Sequence, residues 1–475
     1  MASRRNPEEM DMSLEARSLD GTECMLDSKD VDELRTRARG QVLTSIDAEY
    51  DTARRIWNAI IDKRPALIVR CQGAADVSAA VRFATERELL VSVRGGGHNV
   101  AGTAICEGGL MIDLSPMKGI RVDPVNRIAW AQPGLLWQDF DHETQAYELA
   151  TTGGVVGETG IAGLTLGGGV GWLVRKHGLT CDNLLSADVV TADGQLRQAS
   201  PESNQDLFWA IRGGGGNFGV VTSFQYRLHD VSTILGGLII HPRSAAHNVI
   251  RFHRDFIASA PEELTSYAAL LTSPDGNPVV ALASCYSGDL AEGERVLRPL
   301  REFGAPLVDA IQPMPYTSMQ GQFGPSFPWN NRNYWKSAYL RDIPDAAIDA
   351  IVEQANCCQS PLSFVIIEYY GGAVSRVAPE ATAFSHREAK FNLLFVAQWK
   401  DAAEDALHMR WARDAWNAIN PWASGALYMN ALSEGESAQV VRKAYGTNYS
   451  RLAALKSQFD PKNLFRMNQN IIPAN

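Results

Sequence analysis

The sequence predicts an α+β fold in at least two parts, and three observations carry that prediction. A β-α-β unit closes on a glycine run at residues 95–97. Two further glycine runs follow in the first half of the chain, with a hairpin signal between them. From about residue 232 the glycine runs stop and longer helical and strand segments take over. Length agrees, since 475 residues correspond to roughly two or three domains.

Taken in order, residues 1–45 are polar and acidic and read as a flexible lead-in. RPALIVRC (64–71) reads as a strand and DVSAAVRFATERE (76–88) as an amphipathic helix with Asp76 at its N-cap. LLVSVR (89–94) is the next strand, and it hands over directly to Gly95, Gly96, Gly97 and His98. The other runs lie in LTLGGGVGWL (164–173) and IRGGGGNFGVVTSFQYRL (211–228). Between them, LLSADVVTADGQLRQAS (184–200) gives two apolar strands around Ala192-Asp193-Gly194. Beyond 232, SFVIIEYYGGAV (363–374) has strand periodicity and AEDALHMRWARDAWNAI (403–419) reads as a helix.

Charge and cysteines exclude several classes. Lys plus Arg number 44 against 54 Asp plus Glu, a formal charge of -10 with no basic block, which argues against nucleic acid or an anionic membrane surface as partner. Seven cysteines with no C-x-x-C pair make neither a disulfide framework nor a zinc site, and no metal is expected. The adjacent Cys357 and Cys358 read as buried structure. With no run of 18 apolar residues and no apolar stretch after the first charged residues, a reduced, cytoplasmic protein is expected.

Glycine runs cost conformational entropy unless something must approach the backbone closely. Gly214, Gly216 and Gly219 alone have the G-x-G-x-x-G spacing, but the following VVTSFQYRL alternates like a strand, so the dinucleotide-fold context fails. P-loop, H-E-x-x-H and G-x-S-x-G signatures are absent. Several glycine-lined turns after strands can still present backbone N–H groups jointly to a pyrophosphate, which points to a large phosphate-bearing cofactor. Tight turns or bulges are the plainer alternative.

The ordered set VRGGGHNVAG, GGVVGETGIAGLTLGGGVGWLVRKHGLTCDNLLSADVVTADG, NFGVVTSF and NLFRMNQNI resembles the berberine-bridge-enzyme-like flavoproteins of the vanillyl-alcohol-oxidase group, from about residue 45 to the end. The resemblance implies a split, two-subdomain FAD-binding domain of the PCMH type over 46–231, a substrate-binding domain over 232–430 built on an antiparallel sheet covered by helices, and a segment 431–475 completing the FAD domain. It implies FAD held by one covalent bond, through His98 to the 8-methyl carbon of the flavin, which makes the flavin more oxidising and prevents its loss. The second, cysteine link of many relatives falls on Val156 here, so a single bond is expected, and large oligosaccharides are disfavoured as substrates. Gly95, Gly96, Gly97 and Asn99 would form the pyrophosphate loop, with Arg94 and Gly102 in the same motif. Thr159, Gly160, Gly163, Leu164, Gly169 and Gly171 would flank the flavin ring and ribityl chain, Val221 would meet the adenine, and Asn468 and Asn470 would approach from a C-terminal strand.

On the substrate side, strand periodicity places Ile366, Glu368 and Tyr370 on one face and Ile367 and Tyr369 on the other. A buried carboxylate beside a phenol is costly unless partnered, which favours a site role; a surface pair between Glu368 and a cation is the alternative. Tyr428, with Asn430 two residues on, resembles the family's Tyr-x-Asn element, in which the tyrosine assists deprotonation. Tyr316, Trp329, Tyr334 and Trp335 are candidates for the pocket wall or for the core.

The implied reaction is hydride transfer from a C–H next to an alcohol or amine of a small organic metabolite to FAD, with a side-chain base taking the O–H or N–H proton. O2 is the expected electron acceptor, giving H2O2. The alternatives are an FAD dehydrogenase with another acceptor and a flavin-binding protein without catalysis.

Overall fold

A computed structural model describes residues 13–474. Leu67–Arg70 and Val91–Arg94 both run parallel to Leu110–Asp113, which lies between them, and Gln41–Leu43 adds antiparallel at the edge. The crossover helix Ala74–Glu86 buries Val77, Ala80, Val81 and Ala84, one stripe at helical spacing. The strand ending at Arg94 therefore delivers the first glycine run at the C-terminal edge of parallel strands, where open α/β sheets receive ligands.

Two expectations change here. Asp76 is not the helix cap; Gly73 takes that position. The Asp76 carboxylate is buried and accepts from the backbone N–H groups of Arg39 (2.8 Å), Gly40 (3.0 Å) and Gln72 (2.8 Å), fastening the preceding loop to the helix start. Much of the expected lead-in is structured as well. Leu14–Arg17 pairs with Glu23–Leu26, and helix Ser28–Arg37 buries Val31 and Leu34 in the same core as Ala74–Glu86. A few apolar residues suffice because a ready sheet edge supplies the ladder for Gln41–Leu43. Residues 1–12 of the lead-in lie outside the described residues.

The second sheet is antiparallel, in the order Leu196–Ala199, Leu184–Val190, Val220–Arg227, Ile128–Ala131, Ile120–Asp123. The expected hairpin sits in it, with Val190 opposite Leu196. VVTSFQYR follows its glycines as a strand rather than a helix.

A large antiparallel sheet begins at Thr233. Its path runs Val308–Asp309, Thr233–Pro242, Pro278–Tyr286, Leu264–Thr272, Phe364–Tyr369, Phe391–Trp399, Arg332–Leu340. Helices Ala246–Ser259, Leu290–Glu302, Asp345–Asn356 and Asp405–Ile419 bury their apolar stripes in one core with one face of this sheet, which includes Ile367 and Tyr369. The opposite face, with Ile366, Leu394 and Val396, turns to the glycine loops. The chain is thus α+β, with helices covering an antiparallel sheet.

The C-terminal helices Ala438–Tyr445 and Tyr449–Phe459 return to the five-stranded sheet, packing Val441 and Leu452 with Phe218 and Val221. No strand follows. The expected strand around Asn468 and Asn470 is coil, because its backbone donors go elsewhere: Leu464 and Phe465 N–H to Asp460, and Ile471 N–H to Asn217 Oδ1. Cys357 is exposed and Cys358 partly so, contrary to the buried reading; both lie just beyond the end of helix Asp345–Asn356. Among the described residues no helix is long and apolar enough to cross a membrane.

Arg387 clamps the two halves together. It donates two parallel hydrogen bonds of 2.7 Å to the Asp182 carboxylate, and its side chain is 1% exposed. Arg387→Met leaves that carboxylate buried without its cation and is expected to lower stability by about 3–5 kcal/mol. A thermal midpoint equal to that of the wild type would refute this.

Candidate active site

A cavity of about 280 Å3 lies between the glycine loops and the open face of the large sheet. Its wall joins Gly215, Gly216 and Val221 of the third run, residues 95–99 of the first, Thr159, Gly160, Gly163 and Leu164 of the middle stretch, and Asn468 of the C-terminal coil. Trp335, Ile366, Glu368 and Tyr428 complete it from the substrate side.

Two loops meet here backbone to backbone. A Cβ on Gly96 would lie 2.6 Å from the N and Cα of Gly160, and one on Gly160 would lie 2.5 Å from the N of Gly96. No side chain fits between them, so both positions require glycine. Beyond this contact, the N–H groups of residues 95–99 have no hydrogen-bond partner among the described residues. A row of unpaired N–H donors on a cavity wall is an anion-binding nest. Among the described residues no Lys or Arg lines the cavity, so a bound pyrophosphate would be held by backbone dipoles. A Cβ on Gly163 would meet nothing within 4 Å, which leaves space over that helix turn for a flat ring system. The cradle fits FAD; residues 95–99 would hold the diphosphate, and Gly163 and Leu164 would flank the ring.

His98 lies flat on the buried Trp57, with ring centroids 4.3 Å apart and planes 18° apart. Its Nε2 is buried in the cavity wall without a partner. Burial holds its pKa down at about 4, so the imidazole is neutral and carries a free lone pair at physiological pH.

On the substrate side, Glu368 is buried and has no cation beside it among the described residues, against the surface-pair alternative. Its Oε2 accepts from Asn392 Nδ2 (2.8 Å) and Tyr370 OH (2.9 Å). Asn392 is its directly paired residue on the neighbouring strand. Desolvation raises the Glu368 pKa against these two hydrogen bonds. The Tyr428 phenol accepts from Asn430 Nδ2 (3.0 Å) and Gly169 N–H (3.2 Å). Burial still pushes its pKa upward, so it stays a neutral phenol with its own proton free for the cavity. Its two lone pairs are occupied by donors.

Six expected site residues do not line the cavity: Arg94, Gly102, Gly169, Gly171, Tyr370 and Asn470. Arg94 turns away to the carbonyl of Ala53, and Gly102 packs on Ile61 at the turn closing the loop. Gly169 acts through Tyr428, and Gly171 carries the carbonyl that Tyr267 OH reaches at 3.2 Å. Tyr370 stands behind Glu368 as a positioning group. Asn470 is half-buried, its buried Oδ1 without a partner among the described residues. Of the aromatic candidates, Trp335 lines the cavity, Tyr316 and Tyr334 lie in cores, and Trp329 packs at the edge. Sequence reading missed Trp57, Phe327 and Asn392. Only strand register reveals Asn392, and nothing local marks the other two.

A split glycine-loop domain with an anion nest, capped by an antiparallel sheet bearing a buried carboxylate and a phenol, defines an FAD-linked oxidoreductase. The chain belongs to the berberine-bridge-enzyme-like family of these enzymes. Residues 65–200 match the FAD binding domain family and residues 427–472 the berberine and berberine like family. The (R)-6-hydroxynicotine oxidase of Paenarthrobacter nicotinovorans is 32% identical over 92% of this chain and 97% of its own. The crystal structure of 6-hydroxy-D-nicotine oxidase from Arthrobacter nicotinovorans superposes with a TM-score of 0.85 at 31% identity, covering 92% of this chain and 98% of that one. BBE-like 1 of Physcomitrella patens, 24% identical, shares the fold with a TM-score of 0.85 over 94% of this chain and 99% of its own.

The two kinds of glycine separate by experiment. Gly163→Ala is expected to fold at least as stably as the wild type, gaining up to about 1 kcal/mol of helix propensity, yet to bind less FAD because its methyl enters the cavity. Gly160→Ala is expected to lose both stability and FAD. Flavin absorbance per protein and the melting midpoint together check this, and wild-type flavin content in Gly163→Ala would contradict it.

Proposed function

We propose that this chain is an oxidase of small organic metabolites: FAD, anchored through a single covalent bond to His98, receives hydride from a C–H next to an alcohol or amine. One observation carries the reading. A neutral imidazole with an unpaired nitrogen, the Glu368 carboxylate and the Tyr428 phenol line the same cavity. His98 would hold FAD there through the unpaired Nε2 of its imidazole, losing its ring proton as the link forms, with dioxygen as the two-electron oxidant. FAD held there supplies a two-electron acceptor for substrate hydride, with the electrons passing to dioxygen to give hydrogen peroxide.

The chain's own groups do the rest. Glu368 accepts the O–H or N–H proton of the substrate as the hydride departs, and Asn392 and Tyr370 fix its orientation. Tyr428 donates a hydrogen bond from its OH to the substrate heteroatom and so positions it. Phe327, Trp335, Ile366, Leu394 and Val396 make an apolar wall around these groups. With no Lys or Arg among the described residues of the wall, a carboxylate- or phosphate-bearing substrate would sit unpaired, which favours a neutral or cationic substrate with a compact apolar body. The oxidase name of the 32% identical relative supports dioxygen as acceptor.

Acid precipitation of the purified protein tests the anchor. Yellow colour is expected to stay in the pellet and to be lost with His98→Ala; flavin washing out of the wild type would reject it. Peroxide release on turnover tests the acceptor. For the base, the active form is deprotonated Glu368, so kcat/KM should rise with pH through a midpoint above the ordinary carboxylate range. Glu368→Gln is expected to lower kcat by about 100-fold or more and to remove that limb. An unchanged pH profile in the variant would assign the base elsewhere.

A further inference from the structure

We infer that Trp57 is the positioning residue for His98, and that with Asn58 it clasps the first glycine loop to the substrate sheet. The inference rests on the reading of His98 as the FAD anchor. Neither residue lines the cavity or belongs to a glycine motif.

Trp57 is fully buried and makes three kinds of contact. Its ring covers one face of the His98 imidazole. Its backbone N–H donates to the Gly97 carbonyl at 3.0 Å. Its indole Nε1–H donates to the Phe327 carbonyl at 2.9 Å, and its ring meets Trp335 edge-on at 5.8 Å. Phe327 and Trp335 belong to the substrate side of the cavity. Asn58 repeats the pattern beside it. Its Nδ2 donates to Val100 O (2.7 Å) and Asn333 O (2.9 Å), while its Oδ1 accepts from Asn333 N (2.9 Å) and Ile60 N (3.2 Å). All four hydrogen-bonding positions of the amide are filled. Ala59 N–H adds a bond to Asn331 O at 3.0 Å.

Three consecutive residues therefore grip positions 97, 98 and 100 on one side and 327, 331, 333 and 335 on the other. The stack has two consequences for His98. It fixes the rotation of the imidazole about its long axis, which sets where the unpaired Nε2 points. It also shields one ring face from water, which favours the neutral form. Both are prerequisites for a nitrogen nucleophile, and both pass through Trp57 without its touching the cavity.

The test uses Trp57→Leu, Trp57→Phe and Asn58→Asp in the full chain, with His98→Ala as reference. FAD is added to the apoprotein and acid-stable flavin is followed in time. The His98 titration midpoint is read by NMR on protein labelled at histidine. Trp57→Leu is expected to attach flavin at least ten-fold more slowly and to raise the His98 midpoint toward that of an ordinary histidine. Trp57→Phe, which keeps a ring over the imidazole, should attach within about three-fold of wild type. Asn58→Asp, which sets an anion against two carbonyls, should slow attachment several-fold. Wild-type attachment and midpoint in Trp57→Leu would overturn the inference, as would a Trp57→Phe no better than His98→Ala. If Trp57→Leu does not fold, Trp57→Phe decides by the same two readouts. If the wild type holds no acid-stable flavin, the anchor reading fails by itself. The His98 midpoint then decides the role of Trp57: a rise in Trp57→Leu supports it, and no change overturns it.

Discussion

Much of this structure depends on one close approach, the contact of the Gly96 and Gly160 backbones. Both residues lack the atom that would keep the chains apart, so the loop after Val91–Arg94 and the turn before helix Ile161–Leu166 can share a wall. Every other site feature is placed relative to that wall. The unpaired N–H groups of residues 95–99 face the cavity because the loop behind them is pinned to Gly160. Glu368 and Tyr428 complete the same cavity because the large sheet is tied to the loop from the other side.

The electrostatics follow from what the cavity lacks. Without Lys or Arg among the described residues of the wall, the negative charge of a diphosphate would be met by oriented peptide dipoles, which need no desolvated side-chain cation. The same absence leaves Glu368 without a counter-ion, so burial raises its pKa, and burial of His98 lowers that of the imidazole. A carboxylate tuned upward and an imidazole tuned downward are two results of one low-dielectric pocket. Asn392, Tyr370, Asn430 and Gly169 hold the reactive oxygens by neutral hydrogen bonds.

How far the site was legible depended on the range of the interactions that build it. Residues 95–97 announced themselves because glycine at a strand end is a local signal, whereas residues 159–164 entered only through the family resemblance. Glu368 and Ile366 followed from period-two alternation in a single strand, and the same alternation sent Ile367 and Tyr369 to the helix-covered core. Asp76 was misread as a cap because its partners, Arg39 and Gly40, come from a loop more than thirty positions upstream. Asn468 and Asn470 were placed on a strand, whereas the coil there is fastened by buried Asp460 and Asn217, whose roles no local pattern discloses.

By itself the sequence determined the class of fold, the glycine loops with His98 at their end, and the family to which they belong, since each is written in contiguous residues. Only the tertiary structure decided which of these residues face a common cavity. It moved Tyr370 behind Glu368, turned Arg94 and Asn470 out of the lining, and brought Trp57 onto His98 and Asn392 onto Glu368. The physical reason is that these placements are set by strand register and by hydrogen bonds to backbone carbonyls distant in the chain. Such partners leave no periodicity in the residues that use them.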